Sequence, residues 1–311
     1  MNIKRQLLYI IARLMWPLSD SIMLKLQYRL RTGRKLHLNN PQRFSEKVQH
    51  YKAYYRNPEM TQCVDKYDVR EYVAKKLGTE AYLNTLYQVC DTASSIDFET
   101  LPKEFIIKTT DGGNGDNVFI CHDKDKIDIN QTVNLVNSWR NKRYYVISRE
   151  WAYEGAKQSK VIVEELLVDP DSTDGSICDY KFLCYNGKFK YLWVDKDRYS
   201  NHRRGFWNHD LQFMPDKVSD HPTFSEKEVP MLPENIEEMI TVAEKLAEDF
   251  PFVRIDFYNI RGRIVFGEMT FYPWSGYCRY TPDSFDFELG LPFDINAYGK
   301  YDKRLKHSEL P

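Results

Sequence analysis

In VRIDFYNIRGRIVFGEMTFYPWSG, residues 253–276, two stretches that read as buried strands each carry a carboxylate where an apolar residue would stabilise a core. Alternation in the first puts Val253, Ile255 and Phe257 on one side and Arg254, Asp256 and Tyr258 on the other. Glu268 and Thr270 share one face of the next strand, and a hairpin turning at Arg261-Gly262 brings Glu268 near Asp256. Two acids so placed repel each other unless a positive charge lies between them. A hard divalent cation such as Mg²⁺ would serve, since it takes few protein oxygens and keeps water and phosphate as its other ligands. Salt bridges from Arg254, Arg261 or Arg263 would serve as well, and spacing alone leaves both readings open.

A second candidate lies in IIKTTDGGNGDN, residues 106–117. Lys108 ends a strand, and Gly112, Gly113 and Gly115 follow in a turn whose backbone N–H groups would cradle phosphates, with the ammonium as a further point charge. No G-K-[ST] closes the loop, and Val118 stands where a dinucleotide fingerprint has its third glycine. By itself D-G-G-N-G is more often a hairpin turn than a nucleotide loop. A competing motif is the D-x-D of YLWVDKD (Asp195, Lys196, Asp197), a pattern by which many glycosyltransferases bind a metal and a nucleotide sugar; it leaves Lys108 and the Asp256/Glu268 pair unexplained. Arg198, His202, Arg203, Arg204 and His209 fall within twelve residues beside Tyr199, Phe206 and Trp207. They read either as arginine forks and stacking rings for an anionic sugar, or as a solvated loop or a lid over phosphates.

The elements that must position these groups alternate in type. FSEKVQHYKAYYRNP and TQCVDKYDVREYVAKKLG read as helices, the second stopped by Gly78. Strands are expected at 104–110, 117–120 and 160–168, with a helix over QTVNLVNSWRNKRYYVISREW between the last two. DYKFLCYNGKFKYLWVD is a hairpin turning at Asn186-Gly187. ENIEEMITVAEKLAEDF sets Ile236, Met239, Ile240, Ala243, Leu246, Ala247 and Phe250 on one stripe that must bury against a sheet. The pattern is α/β in the α+β sense.

Composition bounds the class. The 311 residues, 42% hydrophobic, suffice for one large or two modest cores, and 44 Lys plus Arg against 45 Asp plus Glu gives no overall field for nucleic acid. Six cysteines without a C-x-x-C read as free thiols of a reducing compartment, so a cytoplasmic location is expected. The N-terminus, MNIKRQLLYIIARLMWPLSD, starts like a signal peptide, but Arg13 breaks the apolar run; no stretch reaches the roughly 18 apolar residues of a membrane span. Through Lys35 there are eight basic residues and one acid, Asp20, which reads as a basic amphipathic hairpin of helices. Its apolar face, Leu7, Leu8, Ile10, Ile11, Leu14 and Trp16, belongs either on the protein itself or in an anionic membrane interface.

The order of Lys108 with its glycine loop, VIVEELL, a hairpin, RIDFY and GEMTFYPWSG resembles the ATP-grasp superfamily. In RFSEKVQHYKAYYRNP, VDKYDVREYV, DYKF and VDKDRYSNHRRGFWN the chain is similar to the TupA-like branch, which is associated with bacterial surface-polysaccharide and teichuronopeptide synthesis. The resemblance implies two sheet-containing lobes with ATP and Mg²⁺ between them: a basic helical extension over 1–60, a first lobe over 61–165 and a second over 166–311. It implies a ligase in which a carboxylate is phosphorylated and the acyl phosphate captured by an amine, the carboxylate belonging to a sugar acid of a surface polysaccharide. Lys108 and Lys181 would contact phosphates under the Gly112–Gly115 loop, and Glu164, Glu165, Leu166 and Leu167 would form the adenine hinge. Asp256 and Glu268 would hold the cation, and Arg254 would stabilise the transferring phosphoryl. Thr270 stands where many such ligases have Asn, a weaker oxygen ligand. Arg198, His202, Arg203 and Arg204 are the expected substrate contacts, with an anionic membrane or polysaccharide-synthesis enzymes as further partners. The alternatives are a D-x-D glycosyltransferase and a nucleotide-binding scaffold without catalysis.

Overall fold

The computed structural model describes residues 15–111, 117–140, 145–154, 159–172, 175–198 and 200–304. The expected glycine loop and the apolar residues through Leu14 lie outside the described residues. Four helices come first, α1 (Asp20–Thr32), α2 (Phe44–Tyr54), α3 (Glu59–Val64) and α4 (Val69–Leu77). Then follow β1 (Leu86–Cys90), β2 (Phe105–Thr109), β3 (Val118–Cys121), α5 (Ile129–Trp139), the short α6 (Tyr145–Ser148) and α7 (Trp151–Glu154), and β4 (Val161–Glu164). The second half has β5 (Asp179–Tyr185), β6 (Lys188–Lys196), β7 (Arg203–Trp207), α8 (Ile236–Ala247), β8 (Phe252–Ile260), β9 (Arg263–Thr270) and α9 (Ser284–Gly290).

Two antiparallel sheets result, ordered β1-β4-β2-β3 and β7-β6-β5-β8-β9. In the smaller sheet Phe105, Ile107, Val161 and Val163 enter a core with Val136 and Trp139 of α5, which leaves Lys108 and Glu164 on the other face. β4 is shorter than the expected strand over 160–168 and ends at Glu164, one residue before the Glu165 N–H that still donates to the Thr85 carbonyl beside β1 at 2.9 Å. In the larger sheet the stripe of α8 shares one core with Phe182, Ile255 and Phe257, so alternation turns Lys181, Arg254 and Asp256 to the opposite face. Asn186 and Gly187, with φ of 48° and 73°, turn the β5-β6 hairpin as expected.

The helix expected over 61–78 is broken. Asp65 Oδ1 accepts from the N–H groups of Tyr67 (2.9 Å) and Asp68 (3.0 Å), a local bond that competes with the helix and separates α3 from α4. β1 and β7 are edge strands that the pattern missed, β7 because its RRGFW reads as a basic loop. The expected division at 60/61 is no boundary between cores: Phe44, Val48, Tyr51, Met60, Val69 and Val73 all pack in the core of the larger sheet.

After β9 the chain makes a turn in which Trp274, Ser275 and Gly276 have φ of 51°, 55° and 70°. Consecutive left-handed residues are strained unless held from outside. α2 holds them: Gln49 Nε2 donates to the carbonyls of Ser275 (2.8 Å) and Gly276 (3.0 Å), and the buried Lys52 Nζ donates to Ser275 O (2.7 Å) and Oγ (2.6 Å). A Cβ on Gly276 would lie 2.4 Å from Gln49 Nε2 and 2.9 Å from Val48 Cγ1. Gly276→Ala therefore combines positive-φ strain with overpacking and should lower stability by about 2–4 kcal/mol, read by chemical denaturation.

Candidate active site

Register places Asp256 between Lys181 on β5 and Glu268 on β9. A β-bulge makes the second pairing, since the ladder runs Phe257 to Phe266 and then Asp256 to Glu268. Without the extra residue Asp256 would face Gly267, and Glu268 would turn to the apolar side with Phe266. Gly267 allows the close approach, a Cβ there falling 3.1 Å from the Asp256 carbonyl oxygen.

Cations bind this pair of acids together. Arg254 Nε donates to Asp256 Oδ1 (2.7 Å), and its Nη2 donates to Asp256 Oδ2 (2.6 Å), Glu268 Oε1 (2.9 Å) and Thr270 Oγ1 (3.1 Å). Lys181 Nζ bridges Asp256 Oδ2 (2.8 Å) and Asp179 Oδ2. The Thr270 hydroxyl donates to Glu268 Oε1 at 2.8 Å, so it braces the glutamate. Burial pushes the Asp256 carboxyl up to about 6 against the pull of Arg254 and Lys181. At Glu268 burial also raises the carboxyl, but Arg254, Lys181 and Lys66 outweigh it and bring it down to about 2. The Glu268 side chain remains 44% exposed against 4% for Asp256, which makes it the open member of the pair.

The smaller sheet brings a second set of charges. Lys108 Nζ lies 2.9 Å from Glu164 Oε2, and Arg70 of α4 approaches Glu164 Oε1 at 3.5 Å. Glu164 is thus held on the Lys108 face by two cations. Glu165 turns away to Arg263 (2.8 Å) and Thr85 Oγ1 (3.0 Å), while Leu166 and Leu167 follow outside the strand, half-buried. Lys66 was given no role above although it lies within the quoted VDKYDV. Its N–H donates to the Thr110 carbonyl (3.1 Å), two residues beyond Lys108, and burial lowers its ammonium, with Glu268 and Lys108 the charges that act on it most. Lys66 is therefore within electrostatic reach of Glu268 on the larger sheet and Lys108 on the smaller. Asp179 is also new: it is buried, Arg198 Nη1 donates to its Oδ2 at 3.0 Å, and its Oδ1 has no hydrogen-bond partner among the described residues. Alternation from Lys181 was the signal that could have found it.

The basic cluster is neither a solvated loop nor a free set of arginine forks. Arg204 is buried on β7 opposite Asp195, donating Nε to Oδ1 (2.7 Å) and Nη2 to Oδ2 (3.2 Å), and it reaches Asp220 Oδ1 at 2.9 Å. His202 Nε2 lies 2.9 Å from the same Asp195 Oδ1. Burial raises the Asp195 carboxyl, but His202 and Arg204 outweigh it and hold it well below the usual carboxylate range. Arg204 also lies over the Trp193 ring (4.2 Å) and the Trp274 ring (4.8 Å), and those indoles stack at 6.1 Å. Arg203 is half-buried, and its Nε has no hydrogen-bond partner among the described residues. The D-x-D acids diverge: Asp195 is saturated, and Asp197 follows β6 at φ 54°.

The sequence model of the TupA-like ATPgrasp family matches residues 46–294. No curated protein sequence matches the chain. Among solved structures the chain is similar to a D-alanine–D-alanine ligase from Bacillus anthracis, with 14% identity, a TM-score of 0.43, and coverage of 76% of this chain and 68% of that one. It is similar to an L-amino acid ligase from Bacillus licheniformis at 12% identity and a TM-score of 0.44, covering 85% of this chain and 53% of the other. It is also similar to an N5-carboxyaminoimidazole synthetase from Staphylococcus aureus complexed with ADP, at 14% identity and a TM-score of 0.39, covering 67% and 44%. The family match spans most of the chain and fixes the class: this is an ATP-grasp enzyme, an ATP-dependent ligase. The chain belongs to the TupA-like ATP-grasp family.

Asp195→Asn would leave the buried Arg204 short of its counter-charge, which should cost about 3–5 kcal/mol of stability. Asp197→Asn should change the melting temperature little, so thermal unfolding of the two variants separates a structural Asp195 from a D-x-D metal pair.

Proposed function

We propose that the protein is a Mg²⁺-dependent carboxylate-amine ligase that joins an amine or amino acid to a sugar acid of a surface polysaccharide. The observation that carries the reading is the Asp256/Glu268 pair, set opposite each other by the bulge and braced by Arg254 and Lys181. Their chemistry fits Mg²⁺. No group of three or more His, Cys, Asp or Glu is placed to hold a metal ion among the described residues, and Mg²⁺ takes one or two carboxylates with water and phosphate oxygens for the rest. Glu268, the more open acid, would be its main protein ligand with Asp256 beside it, and bound there it would neutralise charge on the phosphates.

The chain's own groups then divide the work. Lys66 and Lys108 supply positive charge for the phosphates of ATP from the smaller-sheet side, and Arg254 supplies it from the larger. A substrate carboxylate oxygen attacks the γ-phosphorus and ADP leaves; the amine attacks the acyl carbon, inorganic phosphate leaves and the amine loses a proton. Arg254 would stabilise the transferring phosphoryl, while Thr270 and Lys181 hold Glu268 and Asp256 in position. Of the Glu164–Leu167 stretch, Leu166 and Leu167 would meet the adenine through their backbone, since the Glu164 and Glu165 carboxylates are held by cations and the Glu165 N–H and carbonyl by Thr85 and Asn84. Arg198 and Arg203 are the members of the basic cluster we assign to the acceptor; Arg204 and His202 hold Asp195. The sugar-acid acceptor rests on the likeness to the polysaccharide-associated branch.

An ADP-release screen of uronic acids against amino acids, with products identified by mass spectrometry, tests the substrate class. Glu268→Gln should lower turnover by roughly a thousandfold or more with the fold retained; Asp256→Asn should lower it as far and also lower stability, since it leaves the buried Arg254 and Lys181 short of a counter-charge, and near-wild-type turnover in either would overturn the reading. Hydroxylamine in place of the amine should yield a hydroxamate; active enzyme that gives none argues against an acyl phosphate. Lys108→Ala and Lys66→Ala should each weaken ATP binding by about tenfold in calorimetric titration, and unchanged affinity would remove that lysine from the phosphate site.

A further inference from the structure

The two faces of α1 differ. Met23, Leu24, Tyr28 and Thr32 are buried, Leu24 and Tyr28 in a small core with Leu36, Leu38 and Ala53, and the Tyr28 hydroxyl is hydrogen-bonded to Ser45 Oγ at 2.8 Å. Opposite them Ile22, Leu26 and Leu30 recur every fourth residue, 53%, 41% and 75% exposed, and Leu18, 39% exposed, lies just before the helix. Four-residue spacing draws one line along a helix. A lone exposed leucine is ordinary, whereas three apolar side chains in line on one helix form a surface that binds something.

The charges beside that line select the partner. Lys25, Arg29, Arg31 and Lys35 are exposed, and from Ser21 to Ser45 the chain has no Asp or Glu. Asp20 is spent inward on Arg56 (3.2 Å) and Arg149 (3.3 Å). An apolar line with Lys25 and Arg29 beside it, on a segment without acids from Ser21 to Ser45, complements a surface that is anionic outside and apolar beneath, the interface of an acidic bilayer. A second copy fits poorly, since a twofold contact through this line would set the same cations against each other. Residues 1–14 carry Lys4, Arg5 and Arg13 and no acid, so they would add like charge to the line. No helix among the described residues is long and apolar enough to cross a membrane, so α1 would lie in the plane of the interface.

We propose that the outward face of α1 docks the enzyme on an anionic phospholipid surface, with Ile22, Leu26 and Leu30 inserted and Lys25 and Arg29 at the headgroups. The test is sedimentation of the full chain with phosphatidylglycerol vesicles and with phosphatidylcholine vesicles, at low and at high salt. The chain should bind the first and not the second, and binding should weaken as salt rises. Leu26→Asp with Leu30→Asp, and separately Lys25→Glu with Arg29→Glu, should each reduce binding at least about tenfold with the melting temperature unchanged. Absence of binding to phosphatidylglycerol at low salt overturns the proposal, as does binding by both double variants equal to that of the unaltered chain. So does a dimer that Leu26→Asp with Leu30→Asp dissociates, or a collapse of the melting temperature in that variant, because either shows the line to be packed on protein.

Discussion

The site depends on keeping Asp256 charged inside a sheet. A carboxylate so buried is costly unless cations meet it with good geometry, and two do: Arg254 grips both its oxygens and Lys181 meets it from β5. That condition fixes much else. β5 must lie beside β8 in the register that sets Lys181 opposite Asp256, and a slip of one residue would send the cation into the apolar core beneath. The tight turn at Arg261-Gly262, with φ of 51° and 88°, sets the β8-β9 register from its closed end, and the bulge resets it before Glu268.

The smaller sheet is built on a matching compromise. Lys108 and Glu164 emerge on the face away from the α5 core because β2 and β4 alternate, and their pairing at 2.9 Å limits the cost of removing both from water. The loop between α3 and α4 connects the two sets of charges. Asp65 breaks the helix there, and the break is what allows the Lys66 N–H to reach Thr110 while its ammonium lies within the influence of Glu268. A continuous helix would have spent that N–H on its own ladder.

Much of this was legible in the sequence, and the misses have specific causes. The β5-β6 and β8-β9 hairpins, the α8 stripe and the nearness of Asp256 to Glu268 follow from period-two and period-3.6 patterns with turn residues between them. The bulge does not follow, because strict pairing from the Arg261-Gly262 turn sets Asp256 against Gly267; the glycine itself was the available sign. The burial of Arg204 was not legible because charge in RRGFW argues for solvent. What buries Arg204 is Asp195 on the neighbouring strand and the indoles of Trp193 and Trp274, contacts that no local pattern contains. Lys66 and Asp179 were passed over inside quoted motifs, since their importance comes from which sheet face they meet.

One sheet face thus uses its acids in two ways. Asp195 has both oxygens taken, by an arginine that is itself buried and by a histidine, so it can be exchanged for nothing without loss and is a fixed part of the frame. Glu268 shares the same sheet and the same kind of neighbours, yet its known contacts converge on Oε1, from Arg254 and Thr270, and its side chain stays open. Burial alone would raise its carboxyl; Arg254 and Lys181 outweigh that and favour the ionised form without covering it. An acid that is charged, held on one oxygen and open on the rest is what a hard cation or a phosphate-bound metal requires. The chain spends a bulge, a threonine and an arginine to produce one.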